Sequence, residues 1–373
     1  VTKRWRNVNP EKDTVPKVSI ILKQNGVEIG NVSLDNSNGY THTFKDLAKY
    51  APTGEEYVYT IEEVLPTGTV GYSKEIISKE DGYLIENIFD KTSINITFTK
   101  VWENVTDTSL VPNIYIDLYQ NGNKYTHESI MLKGGNKDNR ELTHIFKDLP
   151  KYSTEGKEYV YTIKEKTIMG YEQTGEATVD DNNNATITNK FTPGNMNISG
   201  TKTWNNVDES DLNSVPNITV RLQSSTDDIL WTNVEGKVIE LKAGELDFEF
   251  TNIPEYSVGG YKYKYRVVED AVNGYKTLVD LNNNITNTYT PESTDIKVTK
   301  EWKNVPEGSE EVPVVTINLM RDGDKIDSII LGKDNSYTHI LTNLDKYAPT
   351  GKEYVYTVEE VMSEEWLGYT KQI

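Results

Sequence analysis

Cysteine is absent from this 373-residue chain, so nucleophilic chemistry or covalent reinforcement must come from other side chains. Three residue types recur in fixed local settings. A lysine stands two residues before a tryptophan at Lys3, Lys100, Lys202 and Lys300. A glutamate closes a Tyr-x-Tyr-x-Ile/Val-x-Glu run at Glu63, Glu165, Glu269 and Glu360. An asparagine stands two residues after an isoleucine at Asn87, Asn189 and Asn287. In a dry interior these groups would be chemically active, because burial disfavours charged forms, lowering the pKa of a lysine and raising that of a glutamate. A neutral amine is a nucleophile, and a neutral carboxyl can serve as general acid and base.

Strand periodicity decides whether such groups face inward, since residues two apart on a strand share a face. Tyr57, Tyr59, Ile61 and Glu63 therefore line up, as do their equivalents ending at Glu165, Glu269 and Glu360. The position before each glutamate varies freely among Glu62, Lys164, Val268 and Glu359, as a solvent-facing site would. Ile96, Phe98, Lys100 and Trp102 share a face, and Ile296, Val298, Lys300 and Trp302 repeat the pattern. The asparagines fall among Tyr83 and Ile85, Ile187 and Phe191, and Ile285 and Tyr289. Singly, each residue has an ordinary role: a lysine reaching water, a glutamate in a surface ion pair, an asparagine in a turn. Recurrence on inward faces, in one order, in three successive repeats is not explained that way.

The elements that must position these groups come from a repeat of domain size. Successive lysines lie 97, 102 and 98 residues apart. The segment from Phe44 to Glu63 returns almost verbatim from Phe146 to Glu165 and from Leu341 to Glu360, with a looser copy from Phe250 to Glu269. A period near one hundred residues means tandem domains, not a solenoid. Boundaries are expected near Asp90 to Ser93, at Thr192-Pro193-Gly194 and at Thr290-Pro291-Glu292, giving repeats over 1–92, 93–193, 194–291 and 292–373. The junctions are short and two contain proline, so an elongated array with restricted orientations is expected.

With 36% hydrophobic residues, the apolar material is shared among several modest cores, and 24 Tyr with frequent Thr, Val and Ile favour strands. An all-β chain follows. A net charge of −19 without a basic block does not suit nucleic acid or an anionic bilayer. No apolar run is long enough to span a membrane, and neither a signal peptide at Val1 nor a sorting signal at Ile373 is visible, so an excised or processed fragment is expected. No cofactor or metal is expected: the four His, His42 and His144 among them, have no zinc-ligand spacing. The stretches 180–184 and 280–284, rich in Asp and Asn, read as hairpin turns and not calcium loops.

Together these residues resemble the Cna B-type domain family, the prealbumin-like sandwich repeats of Gram-positive adhesins and pilins. The resemblance rests on Thr-Lys-x-Trp, Leu-Tyr-Gln-Asn-Gly from Leu118 to Gly122, Phe-x-x-Leu-x-x-Tyr, Tyr-Thr-Ile-x-Glu, the Gly-Tyr pairs at Tyr72, Tyr171, Tyr275 and Tyr369, and the terminal Ile-Thr-Asn. It covers essentially the whole chain and implies four tandem prealbumin-like, Ig-like β-sandwich domains. It further implies an amide bond between the lysine of the first strand and the asparagine of the last, promoted by the glutamate. Carried over, the sets are Lys3, Glu63 and Asn87; Lys100, Glu165 and Asn189; and Lys202, Glu269 and Asn287. The fourth repeat supplies Lys300 and Glu360, but no Ile-x-Asn strand follows before Ile373, so its bond cannot be assigned and its last strand is missing. Lys300 is then expected to remain a free amine, in the least protected of the four domains.

The implied role is the structural stalk of an adhesin at the bacterial cell surface, anchored to the cell wall through a segment outside this sequence. Its partners would be the rest of the same protein, with the chain itself monomeric. Bond formation happens once and consumes its own side chains, so no turnover enzyme is expected. The alternative is direct binding of a host extracellular-matrix protein by one or more repeats, with the third and its Leu230-Trp231 segment the best placed, although an ordinary cross-strand tryptophan is the simpler reading. A polymerising pilin backbone would need an intermolecular lysine motif, and none is found.

Overall fold

The computed structural model describes residues 1–135, 141–305, 312–361 and 368–373. Strand accounts for 54% of the chain and helix for 3%, which makes it all-β, as its composition requires. Two compact units are distinguished: Val1–Pro193 with Val258–Tyr261, and Gly194–Ser257 with Lys262–Ile373.

In the first unit, the first repeat has one sheet with Thr2–Arg6, Gly82–Phe89 and Tyr72–Lys79 in that order, and a second with Val27–Leu34, Val18–Gln24 and Tyr59–Val64. The second repeat enlarges the plan. Glu141–Pro150, Ser93–Glu103, Asn184–Phe191 and Tyr171–Gln173 form one sheet, and Ile130–Leu132, Ile114–Gln120, Tyr161–Glu165 and Glu176–Thr178 the backbone of the other. Ile96, Phe98, Ile116, Leu118, Ile163 and Ile187 meet between the sheets with no surface left to water.

The second unit repeats the design. Asp247–Pro254, Asn195–Asn205, Ile285–Tyr289 and Tyr275–Val279 face Thr232–Leu241, Ile218–Ser225 and Lys264–Glu269. In the fourth repeat, Asp324–Leu331, Val315–Arg321 and Tyr356–Val361 make one sheet, and Ser293–Thr299 pairs with Thr338–Asp345. Among the described residues Ser293–Thr299 has that one strand partner, and it ends before Lys300. Its counterparts run through their tryptophans alongside a second neighbour.

That second neighbour is the last strand of the repeat, and it lies parallel to the first in a sandwich that is otherwise antiparallel. Lys3 stands opposite Ile85, Lys100 opposite Ile187 and Lys202 opposite Ile285, with the asparagine two residues on and opposite the tryptophan. Each glutamate belongs to the facing sheet, where it is the register partner of an inward apolar residue: Ile20 for Glu63, Ile116 for Glu165, Val220 for Glu269 and Ile317 for Glu360.

Two devices fix the glutamate strand. Asn25-Gly26, Asn121-Gly122 and Asp322-Gly323 all have positive φ, the two-residue hairpin geometry that matches strand twist. The side chains of Asn25, Asn121 and Asp322 accept from the amides of Val58, Val160 and Val355 at 2.8–2.9 Å, at the entry to that strand. A tyrosine on the strand then donates to a carbonyl near the opposite edge: Tyr59 to Ala48, Tyr161 to Pro150, Tyr265 to Pro254 and Tyr356 to Asp345, at 2.6–2.8 Å.

The stretches 180–184 and 280–284 are tight turns, each closed by the first aspartate's side chain accepting from two backbone amides. Trp231 departs from expectation. It precedes Thr232–Leu241, outside the strand, and its ring lies 4.4 Å from the Arg266 guanidinium, because the third repeat's longer hairpin carries it beyond the ladder. Phe98 is fully buried in the core of the second repeat, so Phe98→Ala is expected to destabilise that repeat by about 3–5 kcal/mol, measured by urea unfolding.

Candidate functional site

Alternation along each strand carries the lysine, the glutamate and the asparagine into the space between the sheets, lysine and asparagine from one and glutamate from the other. Lys100, Asn87, Asn189 and Asn287 have no exposed surface, and the other members of the three sets are buried with them. In the second repeat, Asn189 Nδ2 donates to Glu165 Oε1 at 2.6 Å while Lys100 Nζ lies 3.5 Å from Oε2. The third repeat is tighter on the amine side: Asn287 Nδ2 donates to Glu269 Oε1 at 2.6 Å and Lys202 Nζ to Oε2 at 2.8 Å. In the first, Asn87 Nδ2 donates to Glu63 Oε1 at 3.1 Å and Lys3 Nζ is 3.7 Å from the same oxygen.

The fourth repeat brings Lys300 and Glu360 together, with no asparagine bonded to that carboxyl among the described residues. Lys300 Nζ donates to both carboxylate oxygens, at 2.9 and 3.0 Å, and its side chain is partly open to solvent.

Loss of water dominates the electrostatics of the closed sites. Burial pulls the Lys3 and Lys100 amines down to about 8, against the opposing pull of the glutamate beside each, and lowers Lys202 in the same direction. It pushes Glu63 and Glu165 up, with the facing lysine and the asparagine hydrogen bond working against it. Both changes favour the uncharged pair.

In all three sets the glutamate meets the amide nitrogen of the asparagine and not its carbonyl. Nδ2 points at the carboxyl, and Oδ1 of Asn87, Asn189 and Asn287 has no hydrogen-bond partner. A carboxyl oxygen accepts from an amide N–H in either protonation state, so this contact is compatible with the uncharged pair. This orientation aims the carboxyl at the nitrogen that would have to leave as ammonia.

Two further shells went unassigned in the sequence. Each lysine lies over the ring of the tryptophan two residues on, 4.0 Å away for Lys3 and 4.4–4.5 Å for the others. Those rings stack edge-on against Tyr72, Tyr171, Tyr275 and Tyr369 of the Gly-Tyr motif, closing the site to water. The residue two beyond that tyrosine also reaches the glutamate: Lys74, Gln173, Thr277 or Lys371. Thr-Lys-x-Trp and Gly-Tyr were the available signals, but spacing alone gives no contact between motifs 70 residues apart.

The sequence matches a known family along most of its length. The Cna protein B-type domain model matches residues 1–88, 96–190, 198–288 and 296–373. The chain belongs to this family. It is 29% identical over 373 residues to a collagen adhesin of Staphylococcus aureus, covering 97% of this chain and 29% of that protein, so it spans less than a third of that relative. Among solved structures, two B repeat units of the S. aureus collagen-binding protein share 29% identity at a TM-score of 0.32, covering 97% of this chain and 92% of that one. A single B repeat unit of the same surface protein shares 28%, at a TM-score of 0.23, covering 52% and 96%.

A free Lys100 amine leaves a thermodynamic signature. Between about 8 and about 10.5 the unfolded chain binds more protons than the folded one, so stability rises with pH across that window. The raised Glu165 acts oppositely above the usual carboxylate range, where the folded state holds the extra proton. Asn189→Ala, which keeps the amine and removes the carboxamide, is expected to give that rising slope on peptides of the second repeat in urea titrations at fixed pH.

Proposed function

We propose that each of the first three Cna B-type repeats closes an amide bond between its lysine and its asparagine, and that the array is the stalk of a bacterial surface adhesin. One observation carries the reading: a buried carboxyl lies between an amine and a carboxamide in all three repeats. The Lys100 nitrogen lone pair attacks Cγ of Asn189, and Glu165 accepts a proton from the attacking amine. The carboxyl starts neutral and gives its own proton to Nδ2 as the amine's proton arrives on its other oxygen. The Cγ–Nδ2 bond breaks, ammonia leaves, and the carboxyl ends neutral again. Folding supplies the effective concentration, and the site is spent after one event.

The mechanical consequence follows from strand order. The first and last strands run side by side and parallel, so the chain enters a repeat at one end and leaves at the other. Tension along the chain shears this pair, and the amide bond carries it covalently. Closing the span from Lys100 to Asn189 also removes roughly 4–5 kcal/mol of unfolded-state entropy by the loop relation used for disulfides. The S. aureus relative, named as a collagen adhesin, supports placement at a cell surface, with the remainder of the same protein as the chain's partner.

The intact mass is expected to fall short of the sequence mass by one ammonia for each of three bonds; an unaltered mass sinks the reading. Peptide mapping should recover Lys100 joined to Asn189 in the wild type and unjoined peptides from a folded Glu165→Ala chain.

A second reading is direct binding of a host matrix protein by the third repeat, favoured by Ile229 and Leu230, which stand 85% and 69% exposed beside Trp231. Leu230→Asp is expected to abolish retention on immobilised collagen if that tip binds it, and to leave the ammonia count unchanged.

A further inference from the structure

Across the strand next to each asparagine stands one residue that the proposed exchange does not yet use. Lys74 is the register partner of Asn87, Gln173 of Asn189 and Thr277 of Asn287. Directly opposed residues of an antiparallel pair share a face, so this position is held against the site by the sheet itself. Gln173 Nε2 donates to Glu165 Oε1 at 2.9 Å, the oxygen that also receives Asn189 Nδ2. Its amide cannot be turned the other way without loss, because Gln173 Oε1 accepts from the Ile168 amide at 2.9 Å. Thr277 Oγ1 donates to Glu269 Oε1 at 3.2 Å, again the oxygen that receives the asparagine.

The first repeat differs. Lys74 Nζ donates to the Glu63 backbone carbonyl at 3.0 Å, so it brings a cation beside the glutamate without giving the carboxyl a neutral donor. Glu63 there turns one oxygen, Oε1, to both Lys3 and Asn87, while its Oε2 has no hydrogen-bond partner. Where the neutral donor is present, Oε1 faces the carboxamide and Oε2 faces the amine: Lys202 Nζ donates to Glu269 Oε2, and Lys100 Nζ lies 3.5 Å from Glu165 Oε2, which like Glu63 Oε2 has no hydrogen-bond partner.

We infer that Gln173 and Thr277 are positioning residues that hold the carboxyl in this divided arrangement, and that Lys74 makes the first repeat the slowest of the three to close. The inference rests on the amide-bond reading above. A relay needs one oxygen at the attacking amine and the other at the departing nitrogen, and a neutral donor on Oε1 fixes that division without favouring either protonation state by charge. A cation favours the ionised carboxyl and so withholds the proton that the leaving nitrogen requires. The groups facing each carboxyl are Lys3, Lys74 and Asn87 at Glu63; Lys100, Asn189 and Gln173 at Glu165; and Lys202, Asn287 and Thr277 at Glu269.

The test uses the full chain recovered unfolded and unreacted in denaturant, diluted into buffers from acid to alkaline pH, quenched at intervals and digested, with each cross-linked peptide counted by mass. Lys3–Asn87 should form more slowly than Lys100–Asn189 and Lys202–Asn287. Gln173→Lys should slow the second bond about tenfold, the effect of one pKa unit, and move the alkaline limb of its pH–rate profile to lower pH. Gln173→Thr, the third repeat's own solution, should restore the rate, and the other two bonds report in the same molecules. Lys74→Gln should accelerate the first bond, a gain that misfolding cannot produce. An unchanged first-bond rate in Lys74→Gln overturns the inference, as does an unchanged profile in a folded Gln173→Lys. Absence of every cross-linked peptide in the wild type would instead refute the amide-bond reading.

Discussion

A carboxyl group without access to water can be kept inside a protein when its neighbours answer its charge or share its proton. Glu63, Glu165 and Glu269 meet that condition with the same two groups, an amine and a carboxamide. Much of the sandwich can be understood as the means of bringing those two groups to it. The first and last strands must be neighbours and parallel, so that lysine and asparagine lie one pleat apart on a shared face. The glutamate strand must occupy the facing sheet at a fixed height, which the Asn-Gly hairpins and the tyrosine ties secure.

The tryptophan above each lysine plays two opposed parts. It excludes water, which favours the neutral amine, and its face attracts a cation, which favours the ammonium. At Lys3 and Lys100 desolvation outweighs the glutamate's pull. In the fourth repeat Lys300 Nζ donates to both oxygens of Glu360 and the lysine side chain is partly open to solvent, so the same two residue types meet in a different geometry.

The repeats are variations on one plan, and the variations lie outside the triad. The first repeat buries Glu86 on the other face of its last strand, held by Arg4 at 3.1 Å and Arg6 at 3.6 Å. Because those arginines are more than half exposed, their contribution to stability is small. The third repeat extends one hairpin and displays Ile229 and Leu230 at its tip. A chain of this kind can alter its surface and the tuning of each site independently, because the three-residue centre is fixed by strands and the rest by loops and edges.

Inward placement of Lys100, Glu165 and Asn189 was legible in the sequence because side-chain alternation is a local property of an extended backbone. It needs only a few residues on either side. Recurrence of the same motifs made the four repeats legible, and Asp/Asn-rich composition did so for the turns at 180–184 and 280–284. Only the tertiary structure decided that the first and last strands are parallel neighbours, that Glu165 receives Nδ2 of Asn189 and not its carbonyl, and that Gln173, Thr277 and Lys74 share the site. Those facts depend on the pairing and register of strands that lie far apart in the chain, and alternation within one strand carries no information about which strand lies beside it.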